Sequence, residues 1–161
     1  MNPPATSLAP MNELHSILLA EDNPQDVELT LSALAEHNLA NEVVVANDGE
    51  EALDYLYQRG RFKLRGNSQP VVVLLDLKMP KVDGLQVLST IKQDPTLKNI
   101  PVVMLTSSRE EPDLNRAYEL GVNAYVVKPV DFQAFIEAVR QIGVFWTVHN
   151  EAPPGSVRRT P

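Results

Sequence analysis

The chain has 161 residues, 43% of them hydrophobic, which suits a single domain with one core and leaves too little for two. Its 14 Lys and Arg residues against 21 Asp and Glu residues give a net charge of −7, which argues against nucleic acid as a partner because duplex binding uses clustered cations. There is no cysteine, which excludes disulfides, and no apolar run approaches the roughly 20 residues of a membrane span, so we expect a cytoplasmic protein that does not bind a membrane.

The two ends of the chain differ in composition from its middle. Three prolines lie within the first ten residues, and the basic flank and apolar centre of a signal peptide are missing, so we expect a flexible leader over residues 1–14. Patterned sequence over residues 15–148 predicts one domain with an extended last helix. Residues 149–161 are predicted to be a flexible tail that is too short for an output domain.

Strand and helix patterns alternate along the domain. Apolar runs predict five strands, in chain order at residues 17–20, 42–46, 71–75, 100–105 and 124–127. Apolar residues at helical spacing predict helices at residues 24–38, from 48, at 83–93, at 108–120 and from 131. This alternation predicts an α/β fold, a doubly wound (βα)5 parallel sheet with right-handed crossovers.

Particular residues mark the starts of these helices. Asn23 followed by Pro24 suits the N-cap and first position of the first helix. Asp48 and Ser108 each have an acid three residues later, which is the spacing of a capping box. The segment 60–69 is polar, basic and contains glycine, so we predict a loop there.

Chemically active side chains follow four of the predicted strands. Glu21 and Asp22 follow the first strand, Asp76 the third, Thr106 the fourth and Lys128 the last. Because the carboxyl ends of parallel strands meet at one edge of the sheet, we expect these side chains to converge. Asp76 carries the most weight, since a charge at the end of a buried strand is costly unless it is paired. The sequence therefore predicts a site for a divalent cation and a phosphoryl group.

The order of these motifs resembles the receiver domain of two-component response regulators. The resemblance extends over residues 16–144, and the segments that carry it are Glu21-Asp22-Asn23, Asp76 to Gly84, Thr106-Ser107 and Lys128-Pro129. It implies the flavodoxin-like strand order 2-1-3-4-5. It also implies a signalling protein, not a metabolic enzyme, which catalyses only its own phosphoryl transfer and dephosphorylation.

The resemblance assigns roles to the acidic residues. It implies that Asp76 is the phosphorylated residue and that Mg²⁺ is its cofactor. Asp22 and Asp76 would contact the ion directly, Glu21 through water and Lys78 through its backbone carbonyl. The Lys78 side chain would lie beside the phosphoryl pocket. There, together with Ser108, it would help to set the phosphoryl lifetime.

The remaining implied roles concern charge, hydroxyl groups and geometry. Lys128 would pair with the phosphoryl group, and Thr106 would donate a hydrogen bond to it, so both assist catalysis. Backbone amides near Leu77, Lys78 and Ser107 would complete the cradle. Thr106 and Tyr125 would act as the switch that senses phosphorylation. The Lys128–Pro129 peptide bond is predicted to be cis, which costs only about 0.5–1 kcal/mol for such a bond.

A finer resemblance points to a kinase partner. The motifs at 18–26, 48–56 and Lys128-Pro129-Val130, the long loop before the third strand and the terminal Phe145-Trp146 look like regulators that serve phytochrome-type photoreceptor histidine kinases. Phe145 and Trp146 extend an apolar stripe beyond the expected core, so we predict that they form a homodimer interface, as such regulators commonly do.

Three alternatives remain open. Regulators of non-phytochrome kinases share the same motifs, and a pseudo-receiver would be an interaction module that is never phosphorylated. Haloacid dehalogenase-type phosphatases also use an aspartate at a strand end, but they place an acid two residues later, where this chain has Lys78.

Overall fold

The structure is a computed structural model that describes residues 16–36, 42–66 and 68–151. The predicted leader, the end of the first helix near residue 37 and the tail beyond residue 151 lie outside these ranges. Among the described residues, no helix is both long and apolar enough to span a bilayer.

Five parallel strands and five α-helices alternate through the described residues. They are β1 (Ser16–Ala20), α1 (Pro24–Glu36), β2 (Glu42–Ala46), α2 (Gly49–Tyr57), β3 (Val72–Leu75), α3 (Gly84–Gln93), β4 (Val102–Thr106), α4 (Glu111–Glu119), β5 (Ala124–Val127) and α5 (Phe132–Val144). The strand order is β2-β1-β3-β4-β5, which confirms the predicted sheet. The loop predicted at 60–69 contains one short 3-10 turn, Gly60–Phe62.

Helices cover both faces of the sheet and form two hydrophobic cores. Side chains of successive strand residues point to opposite faces, so Leu18 belongs to one core and Leu19 to the other. The first core contains Leu88 of α3, and the second contains Leu34 of α1 and Phe135 of α5. With both faces covered, the central strands are fully buried, as their uninterrupted apolar runs predict.

The predicted helix starts are partly right. Asp48 caps α2, since its Oδ1 accepts a hydrogen bond from the Glu51 amide at 2.8 Å. The capping box predicted at Ser108 is wrong, because α4 begins at Glu111. A helix capped by Ser108 would place Pro112 where the first intrahelical amide is needed, whereas the observed start leaves that proline in the first turn.

The C-terminal helix continues into one π-helical turn, Phe145–His149. The rings of Phe145 and Trp146 meet edge to face with their centroids 4.9 Å apart. Phe145 is 48% exposed, as predicted, but Trp146 packs against the second core of its own chain. It does so because it continues the helical stripe from Val139 and Ile142.

The edge strand β2 is contacted by the 3-10 turn. Arg61 Nη2 donates to the Val45 carbonyl oxygen at 3.0 Å and to Glu51 Oε1 at 3.1 Å. Its guanidinium group also lies over the Phe62 ring, 4.2 Å from the centroid. The basic loop is therefore fastened to the edge of the sheet.

Candidate functional site

Three carboxylates meet at the carboxyl edge of the sheet. Glu21 and Asp22 follow β1, Asp76 follows β3, and one oxygen of each lies within 4.8 Å of the others. Backbone hydrogen bonds to the neighbouring strands fix their positions, because the Glu21 amide donates to Ala46 and the Asp76 amide donates to Ala20, each at 3.0 Å. Glu21 is buried and Asp22 is exposed, so the cluster opens toward solvent on one side.

Lys128 joins this cluster from the end of β5. Its ammonium nitrogen lies 2.7 Å from Glu21 Oε1, 2.8 Å from Asp26 Oδ2 and 3.4 Å from Asp76 Oδ2. Its backbone amide donates to the Thr106 carbonyl at 2.7 Å, which anchors β5 to β4 at this edge. The predicted convergence of Glu21, Asp76 and Lys128 is therefore observed.

The predicted cis Lys128–Pro129 bond is wrong, because the described residues contain no cis peptide bond. The cis bond was what the resemblance implies, and its small cost would let a turn that aims Lys128 at the site tolerate it. The long lysine side chain reaches the carboxylates from a trans bond.

Burial and charge perturb both members of the Lys128–Glu21 pair. Burial, with a further contribution from the charge of Asp76, raises the pKa of Glu21 to about 7 against the opposing hydrogen bond from Lys128. Burial alone would lower the pKa of Lys128, but hydrogen bonds to Asp26 and Glu21 and the charge of Asp76 outweigh it and raise that pKa. Lys128 is therefore a permanent cation within an acidic cluster.

Thr106 and Tyr125 both contact the loop after β4. Thr106 is buried, and its Oγ1 accepts a hydrogen bond from the Ser108 amide at 3.3 Å. The Tyr125 hydroxyl donates to the Ser108 carbonyl at 3.0 Å. Ser108 Oγ donates to Asp113 Oδ2 at 2.6 Å, which holds the loop against α4. The two predicted switch residues therefore share Ser108 as a partner, and their switching role stays a prediction.

Lys78 stands between two cavities beside the carboxylates. A cavity of about 340 Å³ is lined by Asp76, Lys78 and Thr106, and a second of about 400 Å³ by Asp22 and Lys78. Lys78 thus lines both cavities, while the role of its side chain and the metal contact of its carbonyl stay predictions. The Leu77 amide donates to Asp76 Oδ1 at 2.7 Å, so it already holds the carboxylate.

Two glycines allow helices to approach the loop that carries Asp76. A Cβ atom on Gly84 would lie 2.2 Å from the Asp76 carbonyl oxygen, and one on Gly49 would lie 1.8 Å from that of Val82. Lys81, in the loop between β3 and α3, has a φ of +68°. Its ammonium nitrogen lies 3.5 Å from Asp48 Oδ2 at the start of α2. The start of α2, the start of α3 and the loop between β3 and α3 are thus packed without room for a side chain.

Sequence reasoning missed one member of the site. Asp26 is not among the predicted site residues, yet it makes one of the two shortest contacts of the Lys128 ammonium group. The available signal was that Asp26 is a third acid close after β1, in the first turn of α1. That position alone does not show that its side chain reaches Lys128.

The family model for the response regulator receiver domain matches residues 17–140, and the chain belongs to this family. Two curated relatives agree with that assignment. The chain is 42% identical over 139 residues to the probable methanogenesis regulatory protein FilR2 of Methanothrix harundinacea, covering 85% of this chain and 86% of the relative. It is 40% identical over 130 residues to response regulator Rcp1 of Synechocystis sp., covering 81% and 87%.

Some of the solved structures that the chain resembles are named as phytochrome response regulators. The chain is 64% identical to the bacteriophytochrome response regulator AtBRR, with a TM-score of 0.69 and coverage of 86% of this chain and 99% of that one. The phosphorylated cyanobacterial phytochrome response regulator RcpA gives 41% identity, a TM-score of 0.81 and coverage of 87% and 99%. The Mn²⁺-bound form of Rcp1 gives 38% identity, a TM-score of 0.81 and coverage of 86% and 99%.

The carboxylate cluster fits a divalent metal ion. Glu21, Asp22 and Asp76 supply oxygen atoms, the donor type that Mg²⁺ and Mn²⁺ prefer. Their negative charge exceeds the single positive charge of Lys128, so a cation would relieve the repulsion among them. The exposure of Asp22 leaves space for the water molecules that Mg²⁺ usually keeps.

Proposed function

We propose that this protein is a response regulator that accepts a phosphoryl group on Asp76 from the phosphohistidine of a sensor histidine kinase. The observation that carries the proposal is the geometry around Asp76, which has two acidic neighbours and the Lys128 ammonium group 3.4 Å away. The relative RcpA, which was solved in a phosphorylated form, supports it.

In the transfer step, a carboxylate oxygen of Asp76 attacks phosphorus as the P–N bond of the phosphohistidine breaks. The departing imidazole nitrogen keeps the electron pair and takes a proton from water. Asp76 becomes a mixed anhydride, and attack by water on phosphorus later releases inorganic phosphate and restores the carboxylate.

The residues around Asp76 control charge and orientation during this step. Asp22 and Asp76 would hold Mg²⁺, with Glu21 acting through water and Lys78 through its carbonyl. When bound, the ion neutralises negative charge shared by the carboxylate and phosphoryl oxygens. Lys128 provides the opposing charge to the phosphoryl group, and the Leu77 amide orients the Asp76 carboxylate.

We also propose that the partner is a phytochrome-type kinase and that the protein is located in the cytoplasm, where that kinase can reach Asp76. We further propose that the protein forms a homodimer through β5, α5 and the π-helical turn. The similarity to AtBRR and RcpA supports the kinase class. The exposed Phe145 and Val148 support the dimer. The identity to FilR2, 42%, is about the same as the identity to RcpA, 41%. This favours, as a second candidate, a regulator of a kinase of another class.

The test is phosphorylation by a small phosphodonor in Mg²⁺, followed by intact-mass measurement. Wild type and the matched control Asp54→Asn are expected to gain one phosphoryl group, and Asp76→Asn none. An adduct that survives Asp76→Asn, or that forms equally well in excess chelator, contradicts the proposal. If wild type gains no phosphoryl group, the pseudo-receiver alternative is favoured.

A further inference from the structure

We propose that Asp26 is a positioning residue for Lys128, which it holds back from Asp76 before phosphorylation and releases to the phosphoryl group afterward. This inference rests on the proposed phosphorylation of Asp76. It concerns an exchange of partners by one ammonium group, and no bond other than hydrogen bonds changes.

The distances around Lys128 show which partner is weakly engaged. A lysine ammonium group has three N–H donors, and here they face three carboxylates. The contacts to Glu21 and Asp26, at 2.7 and 2.8 Å, have the length of charge-assisted hydrogen bonds. The contact to Asp76 is 3.4 Å, so the ammonium group is drawn away from the phosphoacceptor and its carboxylate remains open to a cation.

A phosphoryl group on Asp76 would compete for Lys128 with three oxygen atoms and a larger charge. One of the two close partners must then give up its hydrogen bond. The Glu21 side chain is 4% exposed, so bulk solvent can do little to replace a lost hydrogen bond from Lys128. The Asp26 side chain is 24% exposed and can be hydrated when released, so Asp26 is the partner that gives way.

The position of Asp26 is set by the first turn of α1. Asn23 Oδ1 accepts hydrogen bonds from the amides of Gln25 and Asp26, at 2.9 and 3.1 Å. The Asp26 backbone is thereby tied to the residue that follows the acidic pair. Loss of the Lys128–Asp26 contact would therefore report phosphorylation at the first turn of this helix.

Asp26→Asn should change cation and phosphoryl binding in opposite directions. Without the Asp26 charge, Lys128 moves toward Asp76 and competes with Mg²⁺, so Mg²⁺ binds about fivefold more weakly, as expected when a charged hydrogen bond becomes a neutral one. In the same variant, the phosphoryl mimic beryllofluoride, added at saturating Mg²⁺, no longer competes with the Asp26 carboxylate for Lys128. It therefore binds about fivefold more tightly than to wild type. Damage to the fold would weaken both.

The matched control is Glu28→Gln, which removes the same charge from an exposed residue of the same helix. Both ligands are titrated at low salt and in about 1 M KCl, where exposed charges more than about 3 Å apart are screened. NMR of ¹⁵N-labelled lysine gives a metal-free measurement, in which the Lys128 Nζ resonance should shift in Asp26→Asn and stay unchanged in Glu28→Gln. Asp26→Glu keeps the charge and should recover most of the wild-type behaviour.

The inference is overturned if Asp26→Asn behaves as Glu28→Gln does, or if it weakens both ligands. These outcomes are distinct from failure of the proposed function, in which wild type itself neither binds beryllofluoride nor becomes phosphorylated on Asp76.

Discussion

Replacing Gly84 with alanine tests whether close packing of α3 fixes the position of Asp76. The added Cβ would lie 2.2 Å from the Asp76 carbonyl oxygen and 2.8 Å from Leu77 Cα, both backbone atoms. Such contacts are essentially never shorter than 3.0 Å, so the helix or the loop must move by the difference, at least 0.8 Å. The Gly84 amide, which donates to the Leu77 carbonyl at 2.7 Å, would move with it.

Both contact atoms belong to the backbone and cannot move aside as a flexible side chain would. We therefore expect a loss of stability at the upper end of the range for overpacked cores. The free energy of unfolding should fall by about 3 kcal/mol in urea titrations. Gly66→Ala is the matched control, since no atom of the described residues lies within 4 Å of a Cβ there, and it should be neutral or stabilise by up to about 1 kcal/mol. Wild-type stability of both variants would show that the Gly84 contacts do not constrain the fold.

Two further predictions concern the metal and the dimer. Mg²⁺ at about 100 times its Kd should raise the free energy of unfolding of wild type by about 2.7 kcal/mol, and Asp22→Asn should lose most of that gain in urea titrations; equal gains would mean that Asp22 does not bind the ion. Phe145→Ala should weaken a wild-type dimer at two symmetric places, each worth about 1.5–3 kcal/mol, whereas the exposed Leu64→Ala should not. Sedimentation velocity at tens of micromolar measures this, and a monomeric wild type would exclude the proposed interface.

The sheet and most of the site could be predicted because they depend on two features that can be read directly from the sequence: apolar runs and the residues that follow them. Uninterrupted apolar runs mark strands buried on both faces, and parallel strands bring their carboxyl ends to one edge. Glu21, Asp76 and Lys128 are far apart in the chain, yet their positions after three strands are sufficient to bring them together. The order of the strands came from the resemblance to receivers, since the apolar runs alone do not determine it.

Three of the errors concern features that the local sequence does not determine. The isomers of the Lys128–Pro129 bond differ by only about 0.5–1 kcal/mol, so surrounding contacts decide between them. The contact of Asp26 with Lys128 depends on how α1 is rotated above the sheet, which the sequence of that helix does not define. Trp146 was expected to face outward because the core was assumed to close before it.

Arg61 has a consequence for the behaviour of the protein at high concentration. The Ala46 carbonyl faces β1, where it accepts the Glu21 amide, so the neighbouring Val45 carbonyl faces the open side of the sheet. An unpaired edge of this kind is a template on which strands of other molecules can add. The Arg61 guanidinium donates a hydrogen bond to the Val45 carbonyl and places a positive charge along the edge. We therefore expect this loop to disfavour edge-to-edge association of the protein.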